Sequence, residues 1–321
     1  MMMQETWSRR FGPGRWREQW RGALARCHRQ GCGRRAGWWR GFGAETGGLR
    51  LRDAWYCTLQ CFELALTDTI LRLRRPMAAA PPSPSHRVPL GLVLLSRGQL
   101  SNQQLRAALE AQRVAGRGRI GDWLQQLGFA SEQQVTSALG LQWACPVFPL
   151  QPTFDPACGQ MIPLPLLRAC RMLPVHYAPS TGVLLMAFCE RIDYTVLYLL
   201  ERMLHCRTEP CLAGASALQR ILAGLEQQTR CDEIVFERVS DACEMARITR
   251  SYVQKLSAET LQLAAVGEHI WVQLGCRGGA TSLVFGTPEL AQAQANFLAQ
   301  DWPGAAVKVG LRFADESLGG K

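Results

Sequence analysis

Two stretches of this chain, LGLVLLSRGQLSNQQLRAALEAQ (90–112) and IGDWLQQLGFASEQQVTSALGLQ (120–142), align without a gap. Gly91, Gly98 and Gln112 of the first recur as Gly121, Gly128 and Gln142 of the second. A repeat of this length that carries glycines and apolar residues in register is one supersecondary unit used twice. Gly98 and Gly128 each end a short helix bearing Leu94 or Leu124, because glycine accepts the left-handed C′ conformation. Ser101 and Ser131 open a second helix, each with a glutamine three residues on (Gln104, Gln134), the pattern of a capping box. Leu105 with Leu109, and Val135 with Leu139, stand four apart and give each second helix an apolar face. Neither hairpin buries that face alone, so the two are expected to pack on each other as a pseudo-symmetric four-helix unit.

The remainder of the chain organises around this unit. The stretch 76–86, PMAAAPPSPSH, holds neither helix nor strand for long and marks a linker. Before it lies a basic segment with 15 Arg against 6 Asp or Glu, which holds almost all of the net charge of +10. Such a surplus suits nucleic acid, anionic lipid or an acidic protein face, and equally an arginine-rich solvated surface. No run of about 18 uncharged apolar residues occurs, and the N-terminus lacks a secretory h-region. The reading is a cytoplasmic protein, with any recruitment to the inner membrane left to a partner.

Thirteen cysteines in such a chain argue against a disulfide framework. Four of them, Cys27, Cys32, Cys57 and Cys61, form two close pairs, the pattern of a four-thiolate zinc knuckle in a segment with little apolar periodicity of its own. His28 is an alternative to Cys27 as the fourth ligand. Trp7, Trp16, Trp20, Trp38, Trp39 and Trp55 accompany the pairs, as packing for the knuckle or as a surface for a partner. The stretch 58–75 carries an apolar stripe (Leu59, Phe62, Leu66, Ile70, Leu73) that should cover the knuckle or a neighbouring domain.

The repeat resembles the N-terminal domain of the type II secretion and type IV pilus assembly ATPases, in particular the MshE-type form that binds cyclic di-GMP. The second motif matches through Arg119, Ile120, Gly121, Leu124, Gly128, Val135, Leu139 and Gln142. The first matches through Leu90, Gly91, Leu94, Gly98, Leu105, Leu109 and Gln112, with Pro89 where the family has Arg and a spacer (113–118) one residue longer. Arg87, Arg113 and Arg117 are candidates to replace the absent guanidinium. The resemblance implies cyclic di-GMP as ligand of Leu90, Gly91, Leu94, Gln112, Arg119, Gly121, Leu124 and Gln142.

It continues past the repeat, through a short proline-containing segment with an apolar strand, WACPVFPL (143–150), a helix in MIPLPLLRACRMLPV and a strand–helix–strand from GVLLMAF to EPCLAG. The stretch 232–313 resembles the PAS-like domain that precedes the motor in this family. Strands are expected in EIVFERV, LQLAAV, HIWVQLG, TSLVFG and AVKVGLRF, and helices in DACEMARITRSYVQKLSAE and over 289–300. The family's Ser-Asp-Ile-His-Ile-Glu strand would fall on Ala258 to Ala264, with Gln262 and Ala264 at the His and final acid positions.

The expected architecture is therefore α+β and multidomain. It comprises a basic zinc knuckle with a helix (1–75), a linker (76–86), a helical-hairpin unit running into a small βαβ subdomain (87–225) and a PAS-like α+β domain (232–313). No lysine stands in a Gly-rich phosphate loop, and the chain ends at Lys321 without room for a motor domain, so ATP hydrolysis is not expected. No HExxH or GxSxG occurs either, and no enzyme activity is expected. The implied function is regulatory or scaffolding, through secretion or pilus assembly proteins as partners. A stand-alone cyclic di-GMP receptor and a zinc-containing nucleic-acid-binding regulator are the alternatives.

Overall fold

A computed structural model describes residues 26–35, 48–52, 54–74, 87–150, 154–227, 232–286 and 300–302. It is a mixed α+β structure of ten helices and three sheets among these residues. The linker, Trp7, Trp16, Trp20, Trp38, Trp39, the strand expected in AVKVGLRF and nearly all of the helix expected over 289–300 lie outside them.

The N-terminal part is a turn closed by an Arg26–Arg35 bridge, a hairpin of β1 (Leu49–Leu51) and β2 (Ala54–Tyr56), and helix α1 (Leu59–Arg74). The repeat then forms α2 (Leu90–Ser96), α3 (Asn102–Ala115), α4 (Ile120–Gln126) and α5 (Glu132–Trp143). Both capping boxes are made: Ser101 and Ser131 accept from the backbone of Gln104 and Gln134, whose side chains reach back to the serine amides. Gly98 and Gly128 are left-handed at φ 65° and 69°. Around them Gln99 N donates to Leu94 O and Gly98 N to Leu95 O, and Phe129 and Gly128 repeat those bonds to Leu124 and Gln125. Pairing is reciprocal, since α2 packs along α5 and α3 along α4, while α2 and α4 meet between them. Leu94 and Leu124 are wholly buried at that centre.

Next come the short helices α6 (Pro156–Gly159) and α7 (Leu164–Ala169), then β3 (Met172–Ala178), β4 (Val183–Phe188), α8 (Tyr194–Leu204), β5 (Arg207–Leu212) and α9 (Ala215–Glu226). β4 pairs antiparallel with β3 and parallel with β5, with α8 as the crossover. The helix expected through MIPLPLLRACRMLPV stops at Ala169. Arg171 turns left-handed (φ 48°), and the following residues pair with β4 as a strand carrying a bulge beside Pro174. The strand expected in WACPVFPL is reduced to a single bridge, Val147 to Leu212.

Last come β6 (Glu233–Phe236), α10 (Ala242–Lys255), β7 (Thr260–Val266), β8 (His269–Cys276), β9 (Gly279–Gly286) and β10 (Gln300–Trp302), in the order β10-β7-β8-β9-β6. Gln300, expected to end a helix, opens a strand that pairs with β7. Along β7, β8 and the end of β9 the sheet is buried on both faces, and its period of two decides which residue goes where. Leu261, Leu263, Ala265, Ile270, Val272, Leu274, Leu283 and Phe285 join one core with α1 and α10. Ala264, Val266, Trp271 and Val284 join another with β3, β4, β5 and α8.

Candidate ligand-binding and metal sites

The eight repeat residues with an expected ligand role fall into two groups. Leu90, Gly91, Leu94, Gly121 and Leu124 are buried inside the four-helix unit. The glycines are there for close approach. A Cβ on Gly91 would come 2.6 Å from Leu105 Cδ1, and one on Gly121 would lie 3.2 Å from Val135 Cγ1 and 3.3 Å from Leu90 Cδ2. Gln112, Arg119 and Gln142 reach the surface.

The two glutamines latch the repeats to each other. Gln112 Nε2 donates to Gly118 O at 2.9 Å, and Gln142 Nε2 donates to Val88 O at 2.7 Å. Each bond ends on the residue just before the N-cap of the other repeat's first helix, Arg119 in one case and Pro89 in the other. Sequence spacing marks both glutamines, but only the reciprocal packing reveals their acceptors.

Arg119, 59% exposed, is ion-paired with Glu190 in the turn after β4, and Arg171 pairs with the other oxygen of the same carboxylate. One acid thus holds two arginines. In the first repeat, where Pro89 supplies no cation, the Arg87 guanidinium lies 3.4 Å from the centroid of the Trp143 ring, a cation–π contact. Arg113 pairs with Glu110 on its own helix at 2.9 Å, and Arg117 O accepts from Trp123 Nε1.

The two repeats differ in what covers them. Glu132, at the start of α5, accepts from Ser216 N (2.7 Å) and Ser216 Oγ (2.5 Å), and Leu139 packs against the β3-β4-β5 core. On the first repeat Val88, Leu92, Leu109 and Val114 are all exposed, so the apolar face expected through Leu109 is only partly buried; on the second Leu127 and Leu141 are exposed. Glu190, Arg171 and Glu132 went unmarked in the sequence as partners, because each acts on a residue far along the chain.

The second site is the thiol cluster. The sulfurs of Cys27, Cys32, Cys57 and Cys61 all lie within 4.8 Å of one another. Cys32 Sγ is 3.6 Å from Cys57 Sγ and 3.7 Å from Cys61 Sγ, and Cys57 and Cys61 are 3.4 Å apart. Four thiolates at about 2.3 Å around one zinc ion place their sulfurs about 3.8 Å apart, so the cluster fits a tetrahedral ion. A disulfide needs about 2.05 Å and is not formed. Cys27 and Cys32 come from the N-terminal turn, Cys57 from the end of the hairpin and Cys61 from the first turn of α1. His28 stands outside the cluster, exposed, with its ring edge-on to Tyr56.

Burial pushes Cys57 up to about 12, reinforced by the neighbouring thiols of Cys61 and Cys32. Burial also works upward at Cys61, but hydrogen bonds with Thr58, Cys57, Arg29 and Cys32 outweigh it and bring the thiol down to about 6. The Arg29 guanidinium lies 3.9 Å from that sulfur.

No family model matches the chain. Over 135 residues, 42% of its length, it is 26% identical to the type IV pilus assembly ATPase PilB of Thermus thermophilus, and it spans only 15% of that protein. Among solved structures, MshE with cyclic di-GMP is matched at 30% identity over 43% of this chain and 99% of that one, with a TM-score of 0.38. The N-terminal domain of XpsE is matched at 17% identity over 42% and 91%, with a TM-score of 0.32. In sequence, then, this chain is related to the N-terminal domains of the type II secretion and type IV pilus assembly ATPases.

Proposed function

We propose that the chain is a non-catalytic regulatory or scaffolding component of a type II secretion or type IV pilus assembly machine, acting through protein–protein contact in the cytoplasm. The observation that carries this reading is the unequal covering of the two repeats. The second is fastened to the rest of the molecule through Glu132 and Leu139 and exposes Leu127 and Leu141, while the first leaves Val88, Leu92, Leu109 and Val114 exposed. Exposed apolar side chains on a capped helical unit suit a partner's surface. No helix among the described residues is long and apolar enough to cross a membrane; on this reading the partner would recruit the chain to the inner membrane. On this reading the four-cysteine cluster holds a structural zinc ion, apart from the partner-binding unit.

Affinity capture from the native cell, using the full chain and a Leu92→Glu, Leu109→Glu variant, tests the proposal. Secretion or pilus assembly proteins should come down with the former and fall about tenfold with the latter, the loss of roughly 1.4 kcal/mol. Capture of no component of either machine overturns it.

A second reading, a cyclic di-GMP receptor, is favoured by Arg119 and by Arg87 on Trp143, two guanidiniums beside the paired motifs, suited to phosphate and guanine. Here Arg119 has to leave Glu190 for an anionic ligand, so Glu190 competes with it. Calorimetry with cyclic di-GMP should give binding that Arg119→Ala abolishes and Glu190→Gln tightens. Absence of heat at high micromolar nucleotide in both the wild type and Glu190→Gln ends this reading and leaves the first intact.

A further inference from the structure

The thiol cluster and the C-terminal sheet share one hydrophobic core, although nearly 200 residues of sequence separate them. Cys27, Leu51, Ala54, Tyr56 and Cys61 belong to the same buried cluster as Met245, Ala246 and Val253 of α10 and the apolar residues of β7, β8 and β9. Helix α1 joins the two. Its first turn carries Cys61 and Phe62, whose ring meets Tyr56 edge-on at 5.3 Å, and its later turns bury Leu66, Ile70 and Leu73 in the core shared with α10. Polar contacts follow the same line. Glu63 accepts from Arg250 at 2.6 Å with Arg247 3.9 Å away, and Arg74 donates to Ser240 O at 2.5 Å.

Beyond this packing, the ties at the N-terminal end of the arrangement among the described residues are short and local. β1 and β2 have three residues each, too short for a hairpin to stand alone. The turn carrying Cys27 and Cys32 is tied by the Arg26–Arg35 and Cys27–Trp55 bridges and by the bonds Cys27 N to Arg34 O, His28 N to Trp55 O and Cys32 N to Arg29 O. The first turn of α1 has no acidic residue, and Thr58 Oγ1 caps it by accepting from Cys61 N at 3.1 Å. Four sulfurs at zinc spacing tie the turn, the hairpin end and the helix start at one point.

We infer that zinc at Cys27, Cys32, Cys57 and Cys61 is a clasp that fastens α1 across α10 and one face of the central sheet, so that metal loading controls the integrity of the C-terminal layer. This goes beyond the proposed function and rests on it only in taking the cluster as a zinc site. Metal binding supplies the folding free energy of the turn and hairpin. With the ion gone, Tyr56 and Phe62 lose their shared packing and α1 frays from its N-terminus. α10 then loses part of its cover. The four-helix repeat, which has a separate core, is untouched.

The test uses the full chain, elemental analysis and hydrogen exchange before and after chelation, with zinc alone as the probe for restoration. About one zinc and negligible iron per chain are expected. Chelation should speed amide exchange about tenfold or more over 54–74 and in α10, leave 90–143 unchanged, and be reversed by added zinc. A Cys57→Ser, Cys61→Ser variant should hold less than about a tenth of the zinc; should it aggregate, chelation of the wild type gives the same readout. Protein carrying iron, or no metal after exposure to zinc, overturns both the zinc site and the clasp. One zinc per chain whose removal leaves α10 as protected as before, or loosens the repeat equally, overturns the clasp alone.

Discussion

Gln142 and Gln112 close the same bond from opposite ends of the repeat, each reaching the carbonyl before the other unit's first helix. Such a bond does two things at once: it satisfies a carbonyl outside the helical ladder and fixes where the chain enters α2 or α4. A half-exposed hydrogen bond of this kind is worth about 1 kcal/mol. Gln142→Ala should lower stability in urea by that amount and speed exchange in α2, on the opposite repeat, with little change in α3. Exchange that rises only in α5 would show that the latch carries nothing between the units. At this scale the sequence was most legible where a residue acts on near neighbours. Ser101 and Ser131 capped as spacing implied, Gly98 and Gly128 turned left-handed, and the four cysteines converged. It was least legible for Glu190, Arg171 and Glu132, whose partners depend on which faces meet and not on any local pattern.

Helix ends are where the second repeat departs from the rule that made the first part readable. α5 stops at Ala144, a residue with a Cβ held at φ 51°, and not at a glycine. Left-handed backbone costs a residue with a Cβ about 1–2 kcal/mol, and glycine's greater unfolded-state freedom takes back about 0.5–1 kcal/mol of that. Ala144 is exposed, so no packing is lost on replacement. Ala144→Gly should therefore stabilise the protein by about 0.5–1 kcal/mol, read as a higher urea midpoint at constant slope. A lower midpoint would mean that neighbouring contacts, such as Gly140 against Val147 and the Cys145 carbonyl, and not the turn itself, set the end of the helix. Elements with strong periodicity and caps (α3, α5, α8, α10 and β7 to β9) were legible in outline. β3 was not, because the Leu-rich sequence leading up to Pro174 reads as helix until the left-handed turn at Arg171 and pairing with β4 override it.

Across the whole molecule the C-terminal sheet is the shared wall, with α1 and α10 on one side and the β3-β4-β5 unit with α8 on the other. Its alternating strands foretold two different faces, but not that both would be covered, since the covering helix α1 comes from the opposite end of the chain. Trp271 is the largest wholly buried side chain in this wall, packed into the core of the β3-β4-β5 unit and donating from Nε1 to Ser282 Oγ at 3.1 Å. A second tie crosses nearby, where Gln262 Nε2 and His205 Nε2, at the end of α8, stand 2.9 Å apart. Removing the indole leaves a cavity that a sheet pinned on both faces cannot close, and Trp→Ala in such a core costs about 3–5 kcal/mol. If the wall couples the layers, Trp271→Ala will lower the protection of α8 and β4 as well as that of β7, β8 and β9, and the loss will appear in one common urea transition. Loosening confined to β7, β8 and β9, with α8 and β4 exchanging as in the wild type, would mean that the layers touch without folding together. The zinc clasp would then act on the C-terminal sheet without any route to the β3-β4-β5 unit.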